Sequence, residues 1–348
     1  MARTLVGLDV GSSGIRAAEF ALGRRNPRLR RFASVPLAAG AVTAGVVTDP
    51  EAVTAGLRTL WSQGRFRTRT VVLGIANASV LVRQMDLDWM PPADFRKALR
   101  YQVEDVLPVP VDETNLDYHL LEEIDVEADG AARKVARVLL VAAGREMVDG
   151  FVTAAHGAGL RPVRVDLVPF ALIRAAARVP GATPGPEAIV DIGAETVTVA
   201  VHEGGRPQHV RTVPGLGGAV VTRALQERYE WTWEEAERTK VVVGLPGHGE
   251  VDHPAQAQVA AEVEALVGEV RATLDYFRSQ DGSPELTRVL LTGDGSRLPG
   301  LPVVLAERLG LPVEPFAVAG GLRAPRRLRG GDHALNIPAG LCIGASAS

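Results

Sequence analysis

The chain alternates short apolar runs with polar, glycine- or proline-bearing turns, and the period of each run predicts its element. Residues 4–10, 15–22 and 29–35 are three successive strand-like runs, with Arg24-Arg25-Asn26-Pro27-Arg28 as a solvated hairpin tip between the last two. Asp49-Pro50 caps and opens a helix running to Trp61. The unbroken apolar run 71–76 predicts a strand buried on both faces. A strand at 80–87 follows, then a helix at 93–107 opened by Pro91-Pro92 and stopped by Pro108 and Pro110. Strands at 116–124 and 135–143 are joined by a polar, turn-like stretch at 122–133. A helix at 146–158, a strand at 161–168 and a helix at 169–178 complete the first half. The run 180–186, Pro-Gly-Ala-Thr-Pro-Gly-Pro, is the clearest linker and marks a domain boundary.

The second half opens as the first did, with strands at 189–192, 197–202 and 208–213. Gly215-Leu216-Gly217-Gly218 leads into a helix ending at Tyr229, and 233–243 is a second helix. In the long helix 254–279, Val259, Val263, Leu266, Val267, Val270, Leu274 and Phe277 recur at spacings of three and four. A strand, a glycine-rich turn at 293–295, a helix at 300–309, a Gly- and Arg-rich surface loop at 320–332 and a small-residue helix at 334–345 follow.

Composition narrows the class. With 348 residues, 46% hydrophobic and 23% charged, the chain has the profile of a globular protein of two domains. A net charge of −3 gives no electrostatic case for nucleic acid. The single cysteine, Cys342, rules out an internal disulfide framework and sits in an apolar segment as a buried, inert thiol. The start runs straight into a strand, so no signal peptide is expected, and the apolar runs fall short of the ~20 residues that span a bilayer. Both point to the cytoplasm. The seven histidines have no ligand spacing. Trp231-Thr232-Trp233 is expected to pack at a helix start.

The chemistry gathers at three turns. Leu5-Val6-Gly7-Leu8-Asp9-Val10-Gly11-Ser12-Ser13-Gly14 is a strand ending in an aspartate, then a turn whose glycines let a ligand approach the backbone. Consecutive N–H groups in such a turn make an anion site, the serines add hydroxyl donors, and Asp9 suits a hydrated Mg²⁺ travelling with phosphates. A Gly-Ser turn is also an ordinary hairpin, and an aspartate at a strand end also forms an Asx-turn. The layout recurs, however, in Ala188-Ile189-Val190-Asp191-Ile192-Gly193-Ala194-Glu195-Thr196. Two such turns, one per half, fit two like domains facing each other across a phosphate, and two carboxylates near one polyphosphate imply an intervening cation. No Gly-x-x-x-x-Gly-Lys-Ser/Thr loop is present.

The order and spacing of these turns, with Thr292-Gly293-Asp294-Gly295-Ser296 as the third, resemble the actin, sugar kinase and heat-shock-protein-70 ATPase superfamily. Within it, a small strand-helix-strand-strand unit inserted after 71–76 resembles the FtsA branch and, in detail, the PilM family of type IV pilus assembly. Met90-Pro91-Pro92, Asp105-Val106-Leu107-Pro108, Asn115-Leu116-Asp117-Tyr118, Pro169-Phe170-Ala171-Leu172 and Glu235-Ala236-Glu237-Arg238-Thr239-Lys240 carry that likeness, which extends over roughly residues 4–345. The resemblance implies an α/β, two-domain actin-like (ribonuclease H-like) ATPase fold with a small α+β domain inserted in the first domain. Residues 1–78 and 143–182 would form the first actin-like domain, 79–142 the insert, and 186–348 the second, with its last helix returning to the first.

It further implies ATP and Mg²⁺ as cofactors. Asp9, Gly11, Ser12, Ser13 and Arg16 would hold phosphate from one side, and Asp191, Gly193, Ala194 and Thr196 from the other. Gly217, Gly218, Glu237, Lys240, Gly293, Gly295 and Arg297 would complete the nucleotide site, with Asp9 and Asp191 next to the metal. Three residues depart from the family pattern. Asp294 stands in the third turn where glycine is usual, either clashing with a phosphate or pointing outward. Arg16 replaces a lysine with a planar fork, and Glu195 adds negative charge.

The implied role is an ATP-binding scaffold, at most a slow ATPase. It would sit on the cytoplasmic face of the inner membrane through the N-terminal cytoplasmic tail of a bitopic PilN-like partner. The pilus assembly ATPases are further candidate partners, and neither nucleic acid binding nor direct membrane insertion is expected. A small-molecule kinase of the same superfamily is the first alternative, with little chain left for a substrate pocket. An FtsA-like filament protein is the second. It would need a basic amphipathic anchor, and the ending Leu341-Cys342-Ile343-Gly344-Ala345-Ser346-Ala347-Ser348 carries no charge.

Overall fold

The computed structural model describes residues 3–23, 27–128, 131–179, 185–280, 282–323 and 333–345. The turn residues Arg24, Arg25 and Asn26, most of the linker, most of the 320–332 loop and the last three residues lie outside them.

In chain order, the first elements are β1 (Arg3–Val10), β2 (Gly14–Leu22), β3 (Arg28–Pro36), the short pair β4 (Val42–Thr43) and β5 (Val46–Val47), α1 (Pro50–Gly64) and β6 (Thr70–Ile75). Then come β7 (Leu81–Asp88), α2 (Pro92–Gln102), β8 (Thr114–Ala128), β9 (Ala131–Gly144), α3 (Arg145–Gly157), β10 (Arg161–Leu167) and α4 (Val168–Ala176). The second half has β11 (Pro186–Ile192), β12 (Thr196–Glu203), β13 (Arg206–Pro214), α5 (Gly218–Tyr229), α6 (Trp233–Val243) and α7 (Ala255–Arg278). It ends with β14 (Arg288–Thr292), α8 (Leu301–Leu309), β15 (Val313–Pro315) and α9 (Asn336–Gly344).

The chain divides into two compact units, residues 78–150 and the remainder. The larger unit holds two five-stranded sheets of one design, ordered β10-β6-β1-β2-β3 and β13-β12-β11-β14-β15. In each, the first strand pairs antiparallel with the second and parallel with the strand that returns after a helix. Matching the registers makes Asp9 and Asp191 equivalent: Asp9 lies opposite Arg16 and Gly74, and Asp191 lies opposite Thr198 and Thr292.

Local chemistry sets the helix ends. The Asp49 carboxylate accepts the N–H groups of Glu51 and Ala52 at 3.1 and 2.9 Å, and Pro50 occupies a first-turn position where its missing N–H costs nothing. Thr232 and Glu235 form a reciprocal capping box at α6. Trp231 stacks on Tyr229 at 4.5 Å, whereas Trp233 stays exposed. The apolar stripe predicted for α7 is buried along its length.

α4 and α9 share one buried cluster with residues of both sheets, among them Ala18, Phe20, Ile189, Ala200 and Leu290. Close approach here depends on missing side chains. A Cβ at Gly340 would lie 1.9 Å from the Ala171 carbonyl, and one at Gly7 would lie 2.0 Å from the Pro338 carbonyl. Cys342 is fully buried in this cluster, and burial raises its thiol pKa, as suits an inert group.

The smaller unit is a three-stranded antiparallel sheet, β7-β9-β8, under α2. Phe95, Leu99 and Val103 are buried with Leu87, Ala136, Val138 and Leu140. Two predictions fail here. The helix expected over 93–107 stops at Gln102 and continues only as a 3₁₀ turn at Glu104–Val106. Glu104 and Asp105 set negative charge against the helix C-terminus, and Pro108 disfavours helix just before it. The stretch expected as a turn is mostly strand: β8 runs to Ala128 and β9 starts at Ala131, with residues 129–130 outside the described residues. Its polar character reflects exposure, with Arg137 bridging Asp86 (2.8 Å) and Glu122 (2.7 Å) across the three strands. The pair β4–β5 and the edge strand β15 have no counterpart in the sequence reading, and α9 begins at Asn336 after a 3₁₀ turn at His333–Leu335.

Candidate functional site

The two equivalent turns line one cleft in the larger unit. Asp9, Gly11, Ser12, Ser13 and Arg16 come from β1–β2, and Asp191, Gly193, Ala194 and Thr196 come from β11–β12. Each turn closes in the same way, with Gly11 N–H donating to Gly14 O at 3.0 Å and Gly193 N–H donating to Thr196 O at 2.9 Å. Gly293 and Asp294 complete the lining from the loop after β14, with Gly74 from β6 and His333 and Ile337 from the segment entering α9.

Of the other predicted residues, Gly217, Gly218, Glu237, Lys240, Gly295 and Arg297 lie outside this lining. The N–H groups of Gly218 and Ala219 donate to the carbonyls of Gly193 and Ala194, both at 2.9 Å, so the start of α5 is seated on the second turn. Gly217 has φ 137°, and a Cβ there would fall 2.5 Å from Gly193 O. Gly293 has φ 88°, and its Cβ would fall 2.7 Å from Asp191 Oδ1, so a side chain there would displace the carboxylate. Buried Lys240 donates to Gly218 O (2.9 Å), Thr222 Oγ1 (2.8 Å) and Glu237 Oε2 (2.7 Å), which ties α6 to the start of α5. Gly295 packs on Ile192. Arg297 is exposed at the end of the 3₁₀ turn Asp294–Arg297 and is not part of the lining. Glu195 lies outside the cleft lining, half-buried and accepting from Arg223 Nη2 at 2.8 Å.

The electrostatics are those of crowded carboxylates. Asp9 is raised above the ordinary aspartate value by burial, partly offset by the Arg16 guanidinium 3.5 Å away. Asp191 is pushed up to about 7 by burial and by the charge of Asp9. Asp294 is held down at about 2, first by its hydrogen bond with His333 and then by Arg16. Arg16 keeps its proton although burial opposes its charge, because Asp9 and Asp294 outweigh that cost.

This donor set suits a hard cation, since two buried carboxylates, both raised by burial and Asp191 further by the charge of Asp9, are relieved by Mg²⁺. Among the described residues no three His, Cys, Asp or Glu side chains converge as a metal set. Two protein carboxylates are what a Mg²⁺ shared with phosphate oxygens and water needs. The backbone in front of Gly11 is open: a Cβ there would meet nothing closer than 3.7 Å.

Asp294 was visible in the sequence as a departure; its half-exposed carboxylate bonds Arg16 and His333 at the cleft. His333, Thr198 and Gly74 were missed. His333 lies in no motif. It is set beside the cleft because buried Asn336, one turn on, donates to Thr292 Oγ1 and Phe316 O, both at 2.8 Å.

Two sheets of one topology, each presenting an aspartate-ended strand and a glycine turn to a shared cleft, define the actin-like ATPase fold. The chain belongs to the PilM family: the pattern of the family described as type IV pilus assembly protein PilM matches residues 7–341. Its role therefore lies in type IV pilus assembly. A solved PilM-PilN type IV pilus biogenesis complex is similar with TM-score 0.82 and 28% identity over 97% of this chain and 98% of that one. The ethanolamine utilization protein EutJ from Carboxydothermus hydrogenoformans (TM-score 0.58, 18% identity, 99% and 90% covered) shares the fold. So does MreB5 of Spiroplasma citri bound to ADP (0.53, 11%, 98% and 95%). Cell division protein FtsA of Agrobacterium fabrum is 32% identical over 157 residues, 38% of this chain and 35% of that protein. Among the described residues no helix is long and apolar enough to cross a membrane.

Proposed function

We propose that the chain is an ATP-binding scaffold of the type IV pilus assembly platform, held at the cytoplasmic face of the inner membrane by the cytoplasmic N-terminal tail of a PilN-like single-pass partner. The observation that carries this reading is the near full-length likeness to a chain of a PilM-PilN complex. The paired turns supply the nucleotide half. Asp9 and Asp191 would bind Mg²⁺ with its waters, the turns at Gly11 and Gly193 would take phosphate, and the face at Gly217, Gly218, Glu237 and Lys240 would take adenosine. Bound Mg-ATP would supply the cation that neutralises the aspartates. The surroundings of Glu195 support a scaffold rather than a fast enzyme, because its carboxylate is engaged by Arg223 away from the cleft lining.

For the partner, the organisation assumed is an insert of residues 79–142 between the parts of a first actin-like domain. β7 and β8 are the two outer strands of its sheet. Either can pair with an extended peptide, main chain giving affinity and side chains giving register. A fluorescent peptide copying the partner's tail is expected to bind with roughly micromolar Kd, about −8 kcal/mol. It should bind far more weakly to a protein lacking residues 79–142 whose circular dichroism remains native-like. Equal binding to both would move the partner site to the larger unit.

A further inference from the structure

The cleft contains a contact that the paired turns do not require. Arg16, on β2 of the first sheet, donates through Nη2 to Asp294 Oδ2, on the loop after β14 of the second sheet. The other Asp294 oxygen lies 2.9 Å from His333 Nε2. Arg16 also lies 3.5 Å from Asp9 through Nη1. One guanidinium thus spans the cleft, with a carboxylate of each half on its two ends. The space left between the two turns for a water-sized sphere is about 90 Å³.

We propose that Asp294 is a resident anion that clasps Arg16 and holds the cleft shut until a nucleotide phosphate takes its place on the guanidinium. This rests on the nucleotide reading above and adds a regulatory step to it. A guanidinium forks equally well onto carboxylate or phosphate, so the exchange needs no other cation. Asp294 is 50% exposed on its side chain, so water and salt weaken its hold, and a triphosphate carrying Mg²⁺ can displace it. Asp9 is 9% exposed on its side chain and sits at a strand end, so it stays as the fixed partner. A closed clasp lowers apparent nucleotide affinity by the fraction of molecules that are open. The same contact explains how aspartate is tolerated in a turn where glycine would leave room: it serves as a stand-in for the ligand's charge. It also gives the nucleotide a mechanical readout, since replacing Asp294 on Arg16 removes this one contact between the halves across the cleft.

The test has two arms on the full-length protein. Without nucleotide, Asp294→Asn and Arg16→Ala should each lower the melting temperature, and the double variant should lose less than the sum of the two, because they share one contact while Asp294–His333 and Arg16–Asp9 are lost separately. Fully additive losses would overturn the clasp. With Mg-ATP, Asp294→Asn should bind about three- to tenfold more tightly than wild type, read by competition with a fluorescent ATP analogue. Asp294→Ser is the second variant should Asn disturb the turn. Equal or weaker binding by both variants, with wild type binding normally, overturns the clasp and leaves the nucleotide reading standing. Failure of wild type and both variants to bind at millimolar Mg-ATP overturns both.

Discussion

Asp9 and Asp191 occupy the same position in two sheets of one topology, at the end of the first strand and before a turn closed by the same hydrogen bond. Their cross-strand neighbours differ. Opposite Asp9 is Arg16, a cation shared with the other half. Opposite Asp191 is Thr198, whose hydroxyl shares a 3.3 Å hydrogen bond with that of Thr212. The fold was duplicated, but the charge was not. One half carries the guanidinium, and the other carries an extra carboxylate that reaches for it. On the proposed nucleotide reading, the backbone repeat would set where phosphate sits, while the side chains would decide what holds the cleft before phosphate arrives.

The largest effect is expected where the halves share a core rather than a charge. Gly340→Ala pushes a methyl group into the Ala171 carbonyl and should cost about 3 kcal/mol in denaturant unfolding. Gly268→Ala, in α7 with open space around it, should instead stabilise by about 0.5–1 kcal/mol. Equal effects would mean that the α4–α9 contact is loose.

Next in size is the pH response of the aspartates. A carboxyl raised in the folded state binds its proton more tightly than in the unfolded chain. Stability without ligand is therefore lost as pH rises from about 4 to about 7 through Asp191. Asp191→Asn should then raise stability at pH 8 by on the order of 1–2 kcal/mol and change little at pH 4. A variant less stable than wild type at pH 8 would show that Asp191 is held by contacts rather than frustrated. The low value of Asp294 has the opposite sign, its contribution vanishing only as pH falls through about 2.

The smallest effect is at Glu195, in the second turn only. Its pairing with Arg223, whose side chain is 50% exposed, should be worth about 0.5 kcal/mol or less. Glu195→Gln should leave any slow ATP turnover unchanged. Loss of a fast turnover in that variant would revive an enzymatic reading.

Much of this was legible in the sequence, for physical reasons that also mark the boundary. The strand–Asp–x–Gly pattern repeats because each copy must end a buried strand and turn within a few residues, so Asp9 and Asp191 announced themselves. The α7 stripe was clear because burial on one face leaves a 3.6-residue period. The β8–β9 ribbon was misread because exposed strands carry charge on both faces, and polarity then imitates a turn. The end of α2 was misplaced because Pro108, taken as the stop, acts on the residues before it as well, and the acidic pair Glu104-Asp105 opposes the helix C-terminus, so the regular helix ends at Gln102. The meeting of Arg16, Asp294 and His333 was out of reach, since it joins residues 278 and 39 positions apart through two sheets and a buried asparagine.

The central claim is that one cleft between Asp9 and Asp191 binds Mg-ATP. Isothermal titration of the full-length protein with Mg-ATP tests it most directly. One saturable site is expected in wild type, weakened at least tenfold in Asp9→Asn and in Asp191→Asn alike, with a matching loss of the ligand-induced rise in melting temperature. Absence of binding at millimolar Mg-ATP, or binding untouched by both substitutions, would contradict the account.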